Sequence, residues 1–216
     1  MPEAKLDYKK RDRTLYSPTQ KPALVDVPDM QFVTIEGKGA PDGELFQNSI
    51  QALYSISYTI KMSKMSGEQP EGYFEYVVPP LEGLWWMGDG TTFDTSKPEE
   101  WCWKLMIRQP EFVTKSIFEQ SAAKCKSKNP HLTLIDSARL VSFEEGLCVQ
   151  IMHIGKYHEE QTSIDKIMQF ISDNKMVADM NSVRKHHEIY LNDPRKCDPD
   201  KIKTVLRIPV KISGAK

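Results

Sequence analysis

The sequence predicts an α+β fold built from two similar halves. The order of elements occurs twice: a strand, a glycine-containing loop, a helix and two further strands. Both helical segments carry one apolar stripe, which indicates that each packs against a sheet. The two leading strands also end alike, in Glu36-Gly37-Lys38 and Ile154-Gly155-Lys156. We therefore predict a tandem strand–helix–strand–strand duplication with pseudo-twofold symmetry and a central ligand groove.

The first repeat is predicted over about residues 30–108. Its elements are a strand at 31–37, a helix at 44–62 and strands at 73–78 and 101–107. The helix is predicted because Phe46, Ile50, Leu53, Ser57 and Ile60 recur at spacings of three and four. The last two strands are each followed by proline, which cannot donate a backbone hydrogen bond to a sheet.

The second repeat is predicted over about residues 137–211, after a linking helix at about 110–129. Its elements are an added strand or extended segment at 137–143, a strand at 147–154, a helix at 162–174 and strands at 186–191 and 203–210. Residues 1–22 are polar, and Asp7 and Asp12 dilute their basic charge, so a solvated lead-in is favoured over a nucleic-acid-binding arm. The folded part is then a single domain over residues 23–212.

Composition excludes several classes of function. The 216 residues include 29 basic and 30 acidic side chains, and this balance argues against nucleic-acid or membrane-surface partners. No apolar run resembles a signal peptide or approaches the ~20 residues of a membrane span. The four cysteines are widely separated in sequence and indicate neither a disulfide framework nor a zinc site. The cytoplasm is the expected compartment, and a monomer the expected state.

The strand at 186–191 carries the most informative residues. Because side chains alternate along a strand, His186, Glu188 and Tyr190 share one side, and the opposite side, with Ile189, looks like core. We expect Glu188 to point towards the sheet face that the helix leaves uncovered. There it would pair with a ligand cation or act as a base, with the Tyr190 hydroxyl as a hydrogen-bond donor. The alternative is that both side chains simply meet solvent.

Four tryptophans fall within nineteen positions, at Trp85, Trp86, Trp101 and Trp103. Each alone could be core packing, because tryptophan buries a large area wherever it lies. As a group they also suggest an aromatic slot for a flat or cationic organic molecule, held by stacking and cation–π contacts. Tyr73 and His186 complete the predicted ligand-binding set.

Neither a metal nor a cofactor is predicted. His186 and His187 are adjacent in a strand and diverge, so they cannot both bind one ion without distortion. The sequence contains no Walker loop, G-x-G-x-x-G or G-x-S-x-G motif. A small organic ligand is therefore the expected partner.

Three segments resemble the GyrI-like small-molecule-binding family. They are residues 80–86 (PLEGLWW), residues 144–155 (EEGLCVQIMHIG) and residues 186–195 (HHEIYLNDPR) with the LRIPV ending at 206–210. The resemblance implies a duplicated strand–helix–strand–strand fold around a ligand groove. It also implies that Glu188 is the family's central acidic residue, which in multidrug-sensing regulators attracts cationic aromatic drugs.

The resemblance is strongest to stand-alone members that hydrolyse cyclopropane-bearing, DNA-alkylating natural products. It implies a detoxifying hydrolase in which Glu188 orients or deprotonates water and Tyr190 hydrogen-bonds an oxygen that gains charge. The alternative is a non-catalytic protein that sequesters or senses hydrophobic cations in the same groove. A third possibility is an inhibitor of a larger enzyme, as one namesake relative binds DNA gyrase.

Overall fold

The computed structural model describes residues 5–67, 69–88 and 96–213. Besides short 3-10 turns, the described residues form the helices α1 (Tyr8–Arg11), α2 (Arg13–Tyr16), α3 (Glu44–Lys61), α4 (Lys115–Lys128) and α5 (Gln161–Asp173). The strands are β1 (Ala23–Lys38), β2 (Leu81–Met87), β3 (Trp101–Arg108), β4 (Arg139–Ile154), β5 (Met176–Ala178), β6 (His186–Tyr190) and β7 (Lys203–Ile212). This content confirms the predicted α+β class.

The chain divides into two compact units, and each draws on several stretches of sequence. Unit 1 comprises the described residues of Met1–Tyr8, Met30–Leu81 and Trp86–Phe143. Unit 2 comprises the described residues of Lys9–Asp29, Glu82–Trp85 and Glu144–Lys216. Most of the first predicted repeat lies in unit 1 and most of the second in unit 2, while the domain limits at residues 23 and 212 stay a prediction.

Unit 1 is built on an antiparallel pair of strands covered by α3. The end of β1 pairs with β3, from Phe32 opposite Arg108 to Lys38 opposite Cys102. The α3 stripe forms as its spacing predicts: Phe46, Leu53, Ser57 and Ile60 are buried, and Ile50 is partly buried. Burial of that stripe against the strand pair provides the apolar core of the unit.

One predicted strand of unit 1 is wrong. Residues 73–80 contain no strand, and Tyr76 makes only an isolated parallel bridge to Leu6. The strand begins directly after Pro79 and Pro80, as β2 at Leu81–Met87. Proline lacks a donor within a ladder but is compatible with the start of a strand, so the two prolines mark a beginning rather than an end.

Unit 2 is built on β7, which has several antiparallel neighbours. It pairs with β4, β5 and β6. One face of these strands packs on α5, and the core there is formed by Val149, Ile151, Ile167, Ile171, Met176, Leu206, Ile208 and Val210. The segment predicted at residues 137–143 is not separate, because β4 runs without interruption from Arg139 to Ile154.

The first 22 residues are more than a solvated lead-in. They form α1 and α2, and Tyr8, Leu15 and Tyr16 are 1%, 6% and 1% exposed. The polar composition of this stretch does not reveal the burial of these three side chains, because a helix can bury a few side chains while its charged neighbours stay in water. In the described ranges, no helix combines the length and apolar character needed to cross a membrane.

Candidate functional site

Strand β6 presents Glu188 and Tyr190 on the face of unit 2 that carries α5. Glu188 lies opposite Leu206 and Tyr190 opposite Thr204 on β7. Directly opposed residues of an antiparallel pair point to the same side, and Leu206 belongs to the core packed on α5. The expectation that Glu188 points to the uncovered face is therefore wrong.

A chain of hydrogen bonds fixes the Glu188 carboxylate. The Trp85 indole Nε1–H donates to the Tyr190 hydroxyl at 2.9 Å, and that hydroxyl donates to Glu188 Oε2 at 2.8 Å. His186 Nε2 lies 3.2 Å from the other oxygen, Glu188 Oε1. The Glu188 side chain is 15% exposed, so it is largely shielded yet still open to a small molecule.

Tyr190 acts as a hydrogen-bond donor in this arrangement. Burial of the phenol, together with the adjacent Glu188 charge, raises the pKa of Tyr190 well above its usual range. The hydroxyl therefore keeps its proton at neutral pH and directs it to Glu188. A phenolate at Tyr190 acting as a base is excluded.

A second aromatic side chain flanks Tyr190. Tyr157 lies in the 3-10 turn Tyr157–Glu159, and its ring packs edge-on to Tyr190 with centroids 5.9 Å apart. Tyr157 is 38% exposed, so much of its ring is available for contact. Burial, then the charges of Glu160 and Glu188, raise the pKa of Tyr157 to about 12.

A second carboxyl group, that of Glu160, interacts electrostatically with Glu188. Glu160 follows the Tyr157 turn, immediately before α5, and is 8% exposed. Its side chain forms no capping hydrogen bond to the helix. Burial and the charge of Glu188 raise the pKa of Glu160 to about 10, so this carboxyl is neutral at physiological pH.

The other four predicted ligand contacts lie in unit 1. Trp86 and Trp101 are partly buried. The Trp103 ring is fully buried edge-on to Phe46 and donates from Nε1 to Gly39 O at 3.1 Å. The Tyr73 hydroxyl donates to Lys61 O at 2.8 Å and so satisfies a carbonyl at the end of α3. These contacts give Trp103 and Tyr73 packing and capping roles.

The opposite face of β6 carries a buried ionic network. His187 Nδ1 lies 3.0 Å from Glu145 Oε2, and His187 Nε2 lies 3.0 Å from Glu82 Oε2. Arg207 Nη1 donates to Glu145 Oε2 at 2.7 Å, and the Tyr16 hydroxyl donates to Glu82 Oε1 at 3.1 Å. Each of these five side chains is about 1% exposed. Two acidic and two basic groups therefore compensate one another out of contact with water.

Within this network, attraction between opposite charges outweighs the free-energy cost of burying them. Burial opposes the charged form of His187, but Glu145 and then Glu82 outweigh it and raise the pKa of His187 to about 9. Burial likewise opposes ionisation of Glu145, but His187 and Arg207 lower its pKa to about 2. At neutral pH His187 is thus an imidazolium.

Sequence reasoning missed Tyr157, Glu160 and the network. Glu160 precedes an amphipathic helix, where an acidic residue normally indicates a solvated helix start. The network joins β2, β4, β6 and β7, and only the alternation along β6, which turns His187 inwards, pointed to it. In the part of the chain that the structure describes, no three His, Cys, Asp or Glu side chains converge as metal ligands would.

Comparison with known proteins identifies relatives. The sequence model of the GyrI-like small molecule binding domain matches residues 20–211. The solved structure of an uncharacterized conserved protein from Listeria innocua is 45% identical, with a TM-score of 0.92, and covers 96% of this chain and 100% of its own. No curated protein matches the chain.

Two further structures are informative. One, described as a hydrolase from Listeria innocua, is 43% identical, with a TM-score of 0.88 over 96% of this chain and 100% of its own. The EcmrR C-terminal domain is only 13% identical, with a TM-score of 0.52 over 89% of this chain and 98% of its own, and shares the fold.

Proposed function

Because the chain belongs to the family of GyrI-like small-molecule-binding domains, we propose that its Glu188 site binds flat aromatic molecules, cationic ones included, and hydrolyses reactive cyclopropane-bearing compounds. The observation that carries the proposal is the chain from Trp85 through Tyr190 to Glu188. It holds one carboxylate in a fixed orientation among aromatic rings. The biological outcome would be detoxification of genotoxic natural products.

Binding draws on the aromatic side chains around Glu188. The partly exposed Tyr157 ring offers a surface for stacking, and the Glu188 carboxylate attracts positive charge. His186 sits at the second carboxylate oxygen and would border the ligand. Trp86 and Trp101 remain predicted ligand contacts. Trp103 and Tyr73 are not proposed as ligand contacts, because their polar groups and rings already contact other residues of unit 1.

Hydrolysis requires a base and a reactive substrate. Glu188 can accept a proton from a water molecule that attacks the strained ring, and Tyr190 keeps the carboxylate aligned for it. Strain released on ring opening lowers the barrier, so a small set of groups suffices. The hydrolase description of the 43%-identical relative supports turnover over binding alone.

The test is incubation of the protein with an aromatic cyclopropyl dienone, with the water adduct followed by liquid chromatography and mass spectrometry. Glu188→Gln should slow formation of the adduct by ~10²-fold or more, the usual contribution of a positioned base. Glu159→Gln is the matched control, because that carboxylate is 52% exposed. Equal rates for Glu188→Gln and the parent would refute the role of Glu188.

The alternative is sequestration without turnover. It is favoured by the same carboxylate among aromatic rings, since that combination binds cations without any chemistry. Stoichiometric binding of a lipophilic aromatic cation, weakened by Glu188→Gln and with no adduct formed from the dienone, would establish it. A cytoplasmic location and a monomeric state stay predictions.

A further inference from the structure

Glu160 is a buried carboxyl group that has no role in the function proposed above. It is 8% exposed, and its Oε1 atom has no hydrogen-bond partner among the described residues. A buried carboxyl oxygen without a partner costs free energy. Such a group in a native site therefore calls for a functional explanation.

Glu160 and Glu188 are linked through the same two aromatic side chains, Tyr157 and Tyr190. Glu160 N donates to Tyr157 O at 3.2 Å, and the Tyr157 ring packs on Tyr190. Tyr190 in turn donates to Glu188 at 2.8 Å. The charge of Glu188 acts on Glu160, Tyr157 and Tyr190 alike. The two carboxyls thus belong to one site.

The two carboxyls differ in how they are stabilised. Glu188 accepts a hydrogen bond from Tyr190 at one oxygen, and His186 Nε2 lies 3.2 Å from the other. The Oε1 atom of Glu160 has no hydrogen-bond partner among the described residues, and its titratable neighbours Tyr157, Tyr190 and Glu188 provide no positive charge. Burial and the charge of Glu188 raise the pKa of Glu160, so Glu160 keeps its proton at neutral pH.

We propose that Glu160 is the acid of the hydrolysis, and that its proton neutralises the substrate oxygen that gains charge when the cyclopropane opens. This inference rests on the proposed function. Tyr190 is poorly placed for that task, because its proton is already donated to Glu188. The free Oε1 of Glu160 has no such commitment.

The step balances without any further reactant. The water oxygen bonds to the cyclopropane methylene, one ring C–C bond breaks, and its electron pair aromatises the dienone and reaches the dienone oxygen. That oxygen takes the Glu160 proton and becomes a phenol, while Glu188 takes a proton from the water. Transfer of one proton from Glu188 to Glu160 then restores both groups.

The experiment combines a proton readout with a rate. Carboxyl ¹³C NMR of glutamate-labelled parent protein should show one side chain still protonated at pH 7, and that resonance should vanish in Glu160→Gln. Glu160→Gln should bind an unreactive analogue with unchanged Kd but form the dienone adduct ~10²-fold more slowly. Glu159→Gln, which alters the preceding and exposed carboxylate, should match the parent in both.

The outcomes separate the two proposals. If the parent turns over the dienone and Glu160→Gln does so equally fast, Glu160 is not the acid, while the hydrolase function stands. If the parent forms no adduct, the hydrolase function fails and the acid role fails with it. If Glu160→Gln does not fold, the parent spectrum decides, since the absence of a protonated glutamate at pH 7 overturns the inference.

Discussion

Replacement of Glu160 by glutamine should stabilise the protein at neutral pH. The pKa of Glu160 is raised from 4.5 to about 10, so folding at pH 7 takes up a proton. A carboxyl with a raised folded pKa adds its full stability below pH 4.5 and loses it as pH rises towards 10. Glutamine has the shape of the neutral acid and carries no such dependence.

The size of the effect follows from the pH interval. Each pH unit above 4.5 costs ~1.4 kcal/mol, so at pH 7 the neutral Glu160 costs up to about 3 kcal/mol. Glu160→Gln should recover much of this, which corresponds to a rise in Tm of roughly 6–12 °C for a chain of this size. At pH 5 the gain should be less than about 1 kcal/mol, because that pH is only slightly above 4.5.

Urea unfolding at pH 5 and pH 7 measures both values. Glu159→Gln serves as the control, and its free energy of unfolding should stay within about 0.5 kcal/mol of the parent. A gain from Glu160→Gln that is absent, or that is equal at the two pH values, would show that Glu160 is already ionised in the native protein. The conclusion that Glu160 keeps its proton at neutral pH would then be refuted.

Three further predictions concern other parts of the molecule. His187→Gln should lower the free energy of unfolding most below pH 6.5, because the raised pKa of His187 stabilises the fold only while the imidazole is protonated. The difference from the parent should shrink by up to about 3 kcal/mol as the pH rises through 9. Urea titrations across that pH range measure this change. Gly37→Ala should cost ~1–3 kcal/mol, because the new Cβ would clash with the buried Trp103 ring. Thermal unfolding of this variant, with and without Trp103→Phe, measures the coupling between the two positions. Trp85→Phe should cost ~0.5–1.5 kcal/mol in chemical unfolding through the lost bond to Tyr190, and an unchanged value would contradict that bond.

The spacing of apolar residues predicts most of the fold, because it indicates which side of a helix or strand packs against the core. The helices α3 and α5 and the strands β6 and β7 appear where their apolar spacing places them. Strand β2 is not predicted because two prolines directly precede it, and proline more often ends a strand pattern. The length of β1 was underestimated because its first half, with Pro28 and two aspartates, does not alternate as a buried strand does.

The candidate site was only partly predictable, for a different physical reason. Glu188 and Tyr190 are two apart on one strand, so alternation alone puts them together. Glu160 precedes α5 and Glu188 lies on β6, and no local sequence pattern encodes the electrostatic interaction between them. The same holds for the network, where partners such as Glu82 and His187 are far apart in the chain.

The buried ionic network connects the amino-terminal residues to the strand that carries Glu188. Leu15 O accepts from Arg207 Nη2 at 3.0 Å, and the Tyr16 phenol reaches Glu82, whose carboxylate lies against the reverse side of the strand that bears Glu188. A shortened variant that starts after Tyr16 would strip these ties and admit water to four charged groups. We expect this deletion to loosen the position of Glu188 although it removes no residue of the proposed ligand site.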